Sequence, residues 1–259
     1  ENKIDIKLSE KVSTSPIPSV DYWNRPYEQS KYQMLPSDFY IDSDGKCQIK
    51  SYINNLPLSE SKLYKLIEQL FGLVLPKLEK VWSYTNSIKL YDQEIGPTFE
   101  NVDDSHCNPQ LEIISLKNKH LQVITKITTT KLNKESINGV WHVEGMSHEH
   151  IVASCVCVLN QDPNLRAHLQ FRRRFTICEG KKIEEAAAEL REEFMYNYFS
   201  EPSYLTSNTK KVDSPYKDLI PLGTVSTQTG SVTVFPNSHI HKLDIFSETP
   251  EQERTAIVF

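Results

Sequence analysis

The sequence predicts an α+β fold in which helices buttress the outside of an antiparallel barrel or jelly roll. The second half of the chain carries several short β-branched segments, separated mostly by turn residues rather than by helices. Strands without intervening helices cannot form a parallel βαβ sheet, so an antiparallel arrangement is favoured. Two amphipathic helical patterns stand apart from these segments. We therefore expect the strands to form the core and the helices to cover it.

Two segments show apolar residues at helical spacing. The first begins at Ser59 and continues through Val81, and Pro76 is expected to kink or divide it. Its apolar stripe is broad, which favours packing against a sheet. The second helix is expected from about Lys182 to Tyr198, with its glutamates largely on the solvent side.

Four segments are predicted to be strands or pairs of strands. Residues 121–132 are β-branched and partly alternating, and residues 151–159 form the apolar run of a strand buried on both faces. Residues 219–237 are expected to form a hairpin that turns near Gly230. Residues 254–259 are expected to form the last strand.

The composition is that of a globular protein. The chain has 259 residues, of which 38% are hydrophobic and 24% are charged, and its net charge of −5 gives no reason to expect a nucleic-acid partner. No apolar stretch approaches the roughly 20 residues that span a bilayer, and the N-terminal residues lack the apolar core of a secretory signal. We therefore expect an intracellular protein, cytoplasmic or nuclear, with no membrane partner.

The domain organisation is predicted from the first residues onward. Residues 1–45 are rich in Ser, Pro, Tyr and Asp, and we expect them to form an extended arm anchored by aromatic side chains. Residues 46–259 are expected to form one domain. Its five cysteines are expected to be reduced thiols, and Cys155 and Cys157, two apart in a predicted strand, are expected to be small buried hydrophobes.

The chemistry is expected among the histidines, all eight of which lie between residues 106 and 241. His142 and Glu144 are two apart, so they project to the same face of a strand. An imidazole and a carboxylate can supply two ligands to one divalent metal, and His241 or His239 could supply the third. Two histidines and a carboxylate leave coordination positions open, which suits non-haem Fe(II) oxygenases.

Other interpretations of the same segment stay open on spacing alone. A histidine and a glutamate two apart are also typical of a surface pair at a strand end. His148 and His150 form a competing pair, which would favour a cupin-like or hydrolytic metal enzyme with another ligand. Trp141 faces away from His142 in a strand and is expected to be core, and the basic run at 172–174 is expected to be a solvated strand face.

Three segments carry a resemblance to a known family. They are residues 121–154 around WHVEG, residues 222–243 around FPNSHIHKL, and residues 253–259, ERTAIVF. They resemble the family defined by the domain of unknown function 4246 (DUF4246), which is similar to the Fe(II)- and 2-oxoglutarate-dependent oxygenases. The resemblance covers roughly residues 30–259. It implies a double-stranded β-helix core, a jelly roll of the cupin-like kind, buttressed by helices.

The resemblance also implies roles for individual residues. His142 and Glu144 match the paired metal ligands, and His241 matches the distal histidine, which leaves His239 as an extra one. Arg254 matches the basic residue that can pair with the distal carboxylate of 2-oxoglutarate. The implied enzyme is a 2-oxoglutarate-dependent dioxygenase, an oxidoreductase that uses Fe(II) and O2 and converts 2-oxoglutarate to succinate while it oxidises an unidentified substrate, a protein or a small molecule.

Two departures from the family pattern support an alternative. His148 stands where Asn is more frequent, and Ile240 stands where Gln is usual before the distal histidine. Neither departure removes a proposed ligand. They fit either a changed substrate or a catalytically silent metal-binding jelly roll that serves as an interaction module.

Overall fold

The structure is a computed structural model, and it describes residues 34–88, 110–133, 136–145, 149–182 and 219–259. The strands are β1 (Ser37–Ile41), β2 (Cys47–Ile49), β3 (Lys119–Val123), β4 (Lys126–Leu132), β5 (Ser136–Ile137), β6 (Ala153–Gln161), β7 (Leu165–Arg174), β8 (Leu219–Thr227), β9 (Val232–Pro236), β10 (Ile240–Ser247) and β11 (Gln252–Val258), and helix α1 (Ser61–Ser87) lies between β2 and β3.

Two four-stranded sheets form the centre of the protein. Sheet I has the strand order β4-β11-β6-β9, sheet II has the order β5-β10-β7-β8, and all their pairings are antiparallel. Leu132 of sheet I packs against Leu165 and Ile245 of sheet II, and Phe235 of sheet I packs against Phe171 of sheet II. The two sheets therefore face each other as a β-sandwich, and the predicted antiparallel α+β class is confirmed.

Helix α1 and a third sheet cover the outer face of sheet I. This third sheet has the order β2-β1-β3. Buried residues of α1, among them Phe71 and Leu75, share one hydrophobic cluster with Ile257, Cys155 and Cys157. The helix continues through Pro76 without division, and it packs against a sheet as its apolar stripe predicts. Within the described ranges, no helix is both long enough and apolar enough to cross a membrane.

The cysteines follow the sequence prediction with one exception. Cys155 and Cys157 are 0% and 2% exposed, and their sulfur atoms lie 3.6 Å apart on the face of β6 that meets α1. Both are free thiols, as is Cys47, so their prediction as small buried hydrophobes is confirmed. Cys178 is disulfide-bonded, and the expectation of reduced thiols is wrong at that position.

Two strand predictions are corrected by the pairing. Residues 121–132 form two strands, β3 and β4, which belong to different sheets. Residues 219–237 contain a turn at Gly230, where φ is +82°, but they form no hairpin. Strand β8 pairs with β7 of sheet II and β9 pairs with β6 of sheet I, so the chain crosses from one sheet to the other at this turn.

The predicted arm and second helix are described only in part. Residues 34–45 include β1, whose Phe39 and Ile41 are fully buried at the centre of the third sheet. Residues 177–182 are helical, and residues 183–198 of the predicted second helix lie outside the described part of the chain, as does the arm before residue 34.

Candidate metal centre

The segment at residues 139–145 runs along the open edge of β10. Ile137 of β5 pairs with Ile245, and an isolated bridge pairs His142 with His241 through two backbone hydrogen bonds of 2.9 Å. From Ile137 to His142 is five positions, whereas from Ile245 to His241 on β10 is four. The segment therefore contains one residue more than the strand it pairs with. Such a bulge changes the direction of the side chains that follow it, and here those include His142.

Glycines lie at both ends of this segment, Gly139 because backbone fills the space beside it and Gly145 because its φ is positive. A side chain at Gly139 would clash with the backbone of Leu243, so only glycine lets the segment approach β10 this closely. Gly145 has a φ of +66°, and a Cβ there would lie 2.6 Å from both the Glu149 carboxylate and the Ile151 side chain. The two glycines of GVWHVEG therefore fix where the segment meets the sheet and where it leaves it.

Two polar side chains anchor the backbone of the segment. The Gly139 N–H donates to Asp244 Oδ1 at 3.0 Å. The Glu144 N–H donates to Asn237 Oδ1 at 2.9 Å, and Asn237 Nδ2 donates to the Glu144 carbonyl at 2.8 Å. Neither Asp244 nor Asn237 was among the residues predicted to belong to the site. Asn237 had an available signal, because it ends the Phe-Pro-Asn motif, whereas Asp244 had none.

The structure brings His142, Glu144 and His241 together. Glu144 Oε1 lies 3.7 Å from His142 Nε2 and 3.5 Å from His241 Nε2, and the three ligand atoms all lie within 4.8 Å of one another. Two atoms that each lie about 2.1 Å from one ion are about 3 to 4 Å apart, so these separations suit a shared metal. The three side chains form a group that could hold a metal ion.

Both imidazoles are oriented by their own backbone. His142 Nδ1 lies 2.7 Å from the Val140 carbonyl, and His241 Nδ1 lies 3.3 Å from the His239 carbonyl. A carbonyl oxygen only accepts hydrogen bonds, so each Nδ1 carries a proton and Nε2 is the ring nitrogen that points to Glu144. Donation of the other ring N–H to a backbone carbonyl is typical of histidines that bind a metal through Nε2.

Glu144 is held as an anion at this position. The neighbouring imidazoles of His142 and then His241 hold the pKa of its carboxyl well below its usual range, although partial burial opposes this. The side chains of His142 and Glu144 are 36% and 31% exposed, whereas that of His241 is 4% exposed. The cluster is therefore open to solvent on one side and closed on the other, where Phe235 packs against His241.

Arg254 lies between the two sheets, in β11. It is 2% exposed, and burial lowers its pKa. Its Nε donates to Gln161 Oε1 at 3.3 Å, while the amide of Gln161 donates to the carbonyls of Leu165 and Thr227 in sheet II. Its Nη2 is buried and has no hydrogen-bond partner among the residues that the structure describes. A buried cation with an unused donor is suited to an anionic ligand.

The other candidate histidines lie outside this group. His239 packs edge-on against Tyr84 of α1 with ring centroids 6.1 Å apart. Burial, aided by the charge of Arg173, lowers the pKa of His239 to about 4. His150 is exposed at a φ of +50°, and His148, its partner in the competing pair, lies outside the described residues.

Trp141 and the basic run have different surroundings from those predicted. Trp141 is half-buried on the outer face of sheet II, with the Arg172 guanidinium 4.3 Å and the Lys242 ammonium 5.4 Å from its ring centre. The core prediction for Trp141 is therefore wrong, because the ring is only half-buried and two cations lie over it. Arg173 is not simply solvated either, since it forms a two-pronged ion pair with Glu179.

The family follows from a match over most of the chain. A family model described as a protein of unknown function (DUF4246) matches residues 3–113 and 97–249. The chain belongs to the DUF4246 family. The family identified from the WHVEG and FPN motifs is thereby confirmed. The second matched range includes His142, Glu144 and His241, and it ends five residues before Arg254.

Other comparisons add little for this DUF4246 protein. No curated protein matches it significantly. A solved structure described as the crystal structure of PirA aligns with 54% of this chain and 95% of its own, at 7% sequence identity and a TM-score of 0.20. A likeness at that TM-score carries no argument about fold or function.

Proposed function

We propose that this DUF4246 protein is a non-haem Fe(II)- and 2-oxoglutarate-dependent oxygenase on a double-stranded β-helix. The observation that carries the proposal is the group of His142, Glu144 and His241, whose ligand atoms lie within 4.8 Å of one another. Two imidazoles and one carboxylate on one side of an ion leave the other coordination positions free for small molecules.

The strand order supports the fold part of the proposal. From β4 to β11 the chain contributes eight strands to two facing four-stranded sheets, and it changes sheet at most connections. Eight antiparallel strands in two packed sheets are the components of a jelly roll. His241 lies at the start of β10, and the segment that carries His142 and Glu144 lies beside it. The three ligands therefore come from two adjacent stretches of chain in sheet II.

The donor set supports the choice of metal class. Nitrogen from two neutral imidazoles and oxygen from an ionised carboxylate suit a first-row divalent ion such as Fe(II). When bound, Fe(II) with 2-oxoglutarate supplies oxidising chemistry in which O2 is consumed and 2-oxoglutarate gives succinate and CO2. The protein's own task is to hold the ion through His142, Glu144 and His241 and to orient the substrate beside it.

Arg254 supports the choice of cosubstrate. A dicarboxylate that reached into the sandwich would offer its far carboxylate to the guanidinium, whose buried Nη2 has no partner within the described ranges. Gln161 holds the Nε edge, so the remaining edge of the fork is free to make charge-assisted hydrogen bonds. Such a ligand would also offset the unfavourable burial of a positive charge.

The exposure of the ligands indicates where the substrate approaches. His142 and Glu144 are about one-third exposed, whereas His241 is closed in by aromatic side chains. We infer that the substrate approaches over His142 and Glu144, and that 2-oxoglutarate extends from the opposite side of the ion towards the buried Arg254.

The test is succinate formation from 2-oxoglutarate by purified protein with Fe(II), ascorbate and air. Slow turnover of 2-oxoglutarate is expected even without the true substrate, with ascorbate as the reductant, so the substrate need not be known. His142→Ala is expected to lower the rate at least about a hundredfold, because an imidazole ligand is lost. His120→Ala, which removes an exposed histidine of the third sheet, is the matched control and leaves the rate unchanged. Full activity of His142→Ala would refute the metal assignment.

A second candidate function uses the same three side chains. The group requires only an ion, so it also suits a catalytically silent metal-binding module that presents the sandwich to a partner. Calorimetry with Mn(II) and an inert 2-oxoglutarate analogue separates the two. Tight Mn(II) binding with no binding of the analogue favours the silent module, and binding of the analogue only after Mn(II) favours the oxygenase.

A further inference from the structure

Asn237 lies at the turn between β9 and β10, next to the metal-binding group. We propose that Asn237 is a positioning residue of the metal centre, whose carboxamide fixes the backbone of Glu144 so that the carboxylate faces both imidazoles. This inference rests on the proposed metal site. It adds a residue that does not touch the ion but controls how one ligand is presented.

The first support is the reciprocal pair of hydrogen bonds. Asn237 accepts from the Glu144 N–H at 2.9 Å and donates to the Glu144 carbonyl at 2.8 Å. The carboxamide thus makes the two hydrogen bonds that the backbone of a neighbouring strand would make, and it satisfies both the N–H and the carbonyl of Glu144. The oxygen and nitrogen of the amide are also assigned by this pair, since only one orientation satisfies both groups.

The second support is where the regular pairing ends. The His142–His241 bridge is the last backbone pairing of the segment with β10, and Gly145 then turns the chain away at a φ of +66°. Glu144 therefore lies between the last bridge and a turn. Its backbone would be free to rotate there without Asn237, and the carboxylate would move with it.

The third support is that Asn237 holds the loop from both sides. Its backbone N–H donates to the Val152 carbonyl at 3.0 Å, while its side chain binds Glu144. The chain that leaves Glu144 therefore returns to the same asparagine just before β6. One residue of the Phe-Pro-Asn turn thus fixes both ends of the loop that follows the metal ligand.

The experiment is a double-mutant cycle read by Co(II) binding to the full chain. Calorimetry gives the affinity, and the visible absorption of bound Co(II) reports whether the carboxylate is a ligand. Asn237→Ala is expected to weaken Co(II) binding about tenfold to a hundredfold, and to change the Co(II) spectrum towards that of Glu144→Ala. In the Glu144→Ala background the same Asn237→Ala change is expected to alter the affinity less than about twofold, because the carboxylate it positions is gone.

Two controls separate positioning from general stability. Asp42→Ala removes another side chain that accepts from backbone N–H groups, those of Asp44 and Lys46, in a turn far from the centre. It is expected to leave Co(II) affinity unchanged even if it lowers the melting temperature. If Asn237→Ala does not fold, Asn237→Gln keeps the amide but displaces it, and the same spectral change is expected.

The outcomes distinguish this inference from the proposed function. Wild-type protein that binds no Co(II) overturns the metal centre itself. Wild-type protein that binds Co(II), with Asn237→Ala identical in affinity and spectrum, overturns only the role of Asn237. Equal losses of affinity in the wild-type and Glu144→Ala backgrounds also overturn it, because Asn237 would then act on the fold rather than through the carboxylate.

Discussion

Two arginines of the sandwich lie in opposite circumstances. Arg173 of β7 binds Glu179 through both terminal nitrogens at 2.7 Å, so its charge is matched within the chain. Arg254 of β11 is 2% exposed, binds the neutral amide of Gln161, and has a buried Nη2 with no partner in the described part of the chain. The charge of Arg173 is therefore neutralised by a carboxylate, whereas no described carboxylate neutralises that of Arg254. This difference separates a structural arginine from a candidate ligand-binding one.

The largest effect expected from this comparison is on cosubstrate binding. Arg254→Met removes the fork and is expected to weaken binding of an inert 2-oxoglutarate analogue to the Mn(II)-loaded protein by about a hundredfold. Arg173→Met, the matched control, is expected to change that affinity less than about threefold. Calorimetry measures both. Equal losses in the two variants would show that Arg254 has no special part in binding.

The same two variants are expected to differ in stability. A buried charge without an ion partner is replaced by an apolar side chain in Arg254→Met, so the melting temperature should stay the same or rise. Arg173→Met leaves the Glu179 carboxylate without its partner, so its melting temperature should fall.

A smaller effect on the affinity for the 2-oxoglutarate analogue is expected if Arg254 is given a carboxylate partner like that of Arg173. Gln161→Glu sets a carboxylate beside the Arg254 guanidinium, which competes with the ligand for the positive charge. The affinity for the 2-oxoglutarate analogue should fall about tenfold, which is the free-energy equivalent of one pKa unit. The affinity for Mn(II) should stay within about twofold. Gln48→Glu makes the same change of charge at an exposed position of β2, so it is the control. Unchanged affinity of Gln161→Glu for the analogue would contradict the proposed path to Arg254.

Removal of the charge on Glu179, the partner of Arg173, is expected to have a still smaller effect. This effect is on the free energy of unfolding, and it depends on pH. Arg173 lowers the pKa of Glu179 from 4.5 to about 2, so the ionised carboxylate stabilises the folded state. This contribution is present above about pH 4.5 and is lost as the pH falls towards about 2. Because Glu179 is 39% exposed, solvent limits the contribution to about 0.5–1 kcal/mol.

Glu179→Gln tests that pH dependence directly. The variant should unfold at a lower temperature than the wild type at pH 7, and the two melting temperatures should converge as the pH approaches 2. Thermal unfolding followed by circular dichroism across this range provides the measurement. A difference that stays constant down to pH 2 would mean that the ion pair is not its source.

The smallest effect is expected at His239, which belongs to the surroundings of Arg173 rather than to the metal centre. His239→Phe preserves the contact with Tyr84 and should leave Mn(II) affinity within about twofold of the wild type. His241→Phe should remove most of it, since His241 Nε2 lies 3.5 Å from the Glu144 carboxylate. Equal losses would mean that the two histidines share the ion.

The sequence predicted which segments form strands better than it predicted their partners. Short apolar and β-branched runs identify β6 and β11 because such runs are a local property of the sequence. The turn at Gly230 is also local, but whether β8 and β9 pair or cross between sheets depends on distant strands, β7 and β6. Residues 219–237 were therefore expected to form a hairpin, whereas the chain crosses between the two sheets there.

The candidate site was predictable to a similar extent. Spacing proposed His142 and Glu144, and the family pattern preferred His241 to His239. The contacts of Asn237 with Glu144 and of Gln161 with Thr227 join residues more than 60 positions apart in the chain, so no local pattern indicated these partners. Only Asn237 itself was marked, by the Phe-Pro-Asn motif. Trp141 was assigned to the core because hydrophobicity alone does not show that cations will cover a ring.

The extra residue between Ile137 and His142 decides which of two neighbouring rings faces the metal-binding group. Side chains alternate along an extended segment, so a shift of the pairing by one residue exchanges its two faces. If the same residues paired with β10 without the bulge, Trp141 would lie opposite His241, and His142 would point to the face that carries Arg172 and Lys242. The bulge therefore places the histidine beside Glu144 and the tryptophan beside the two cations.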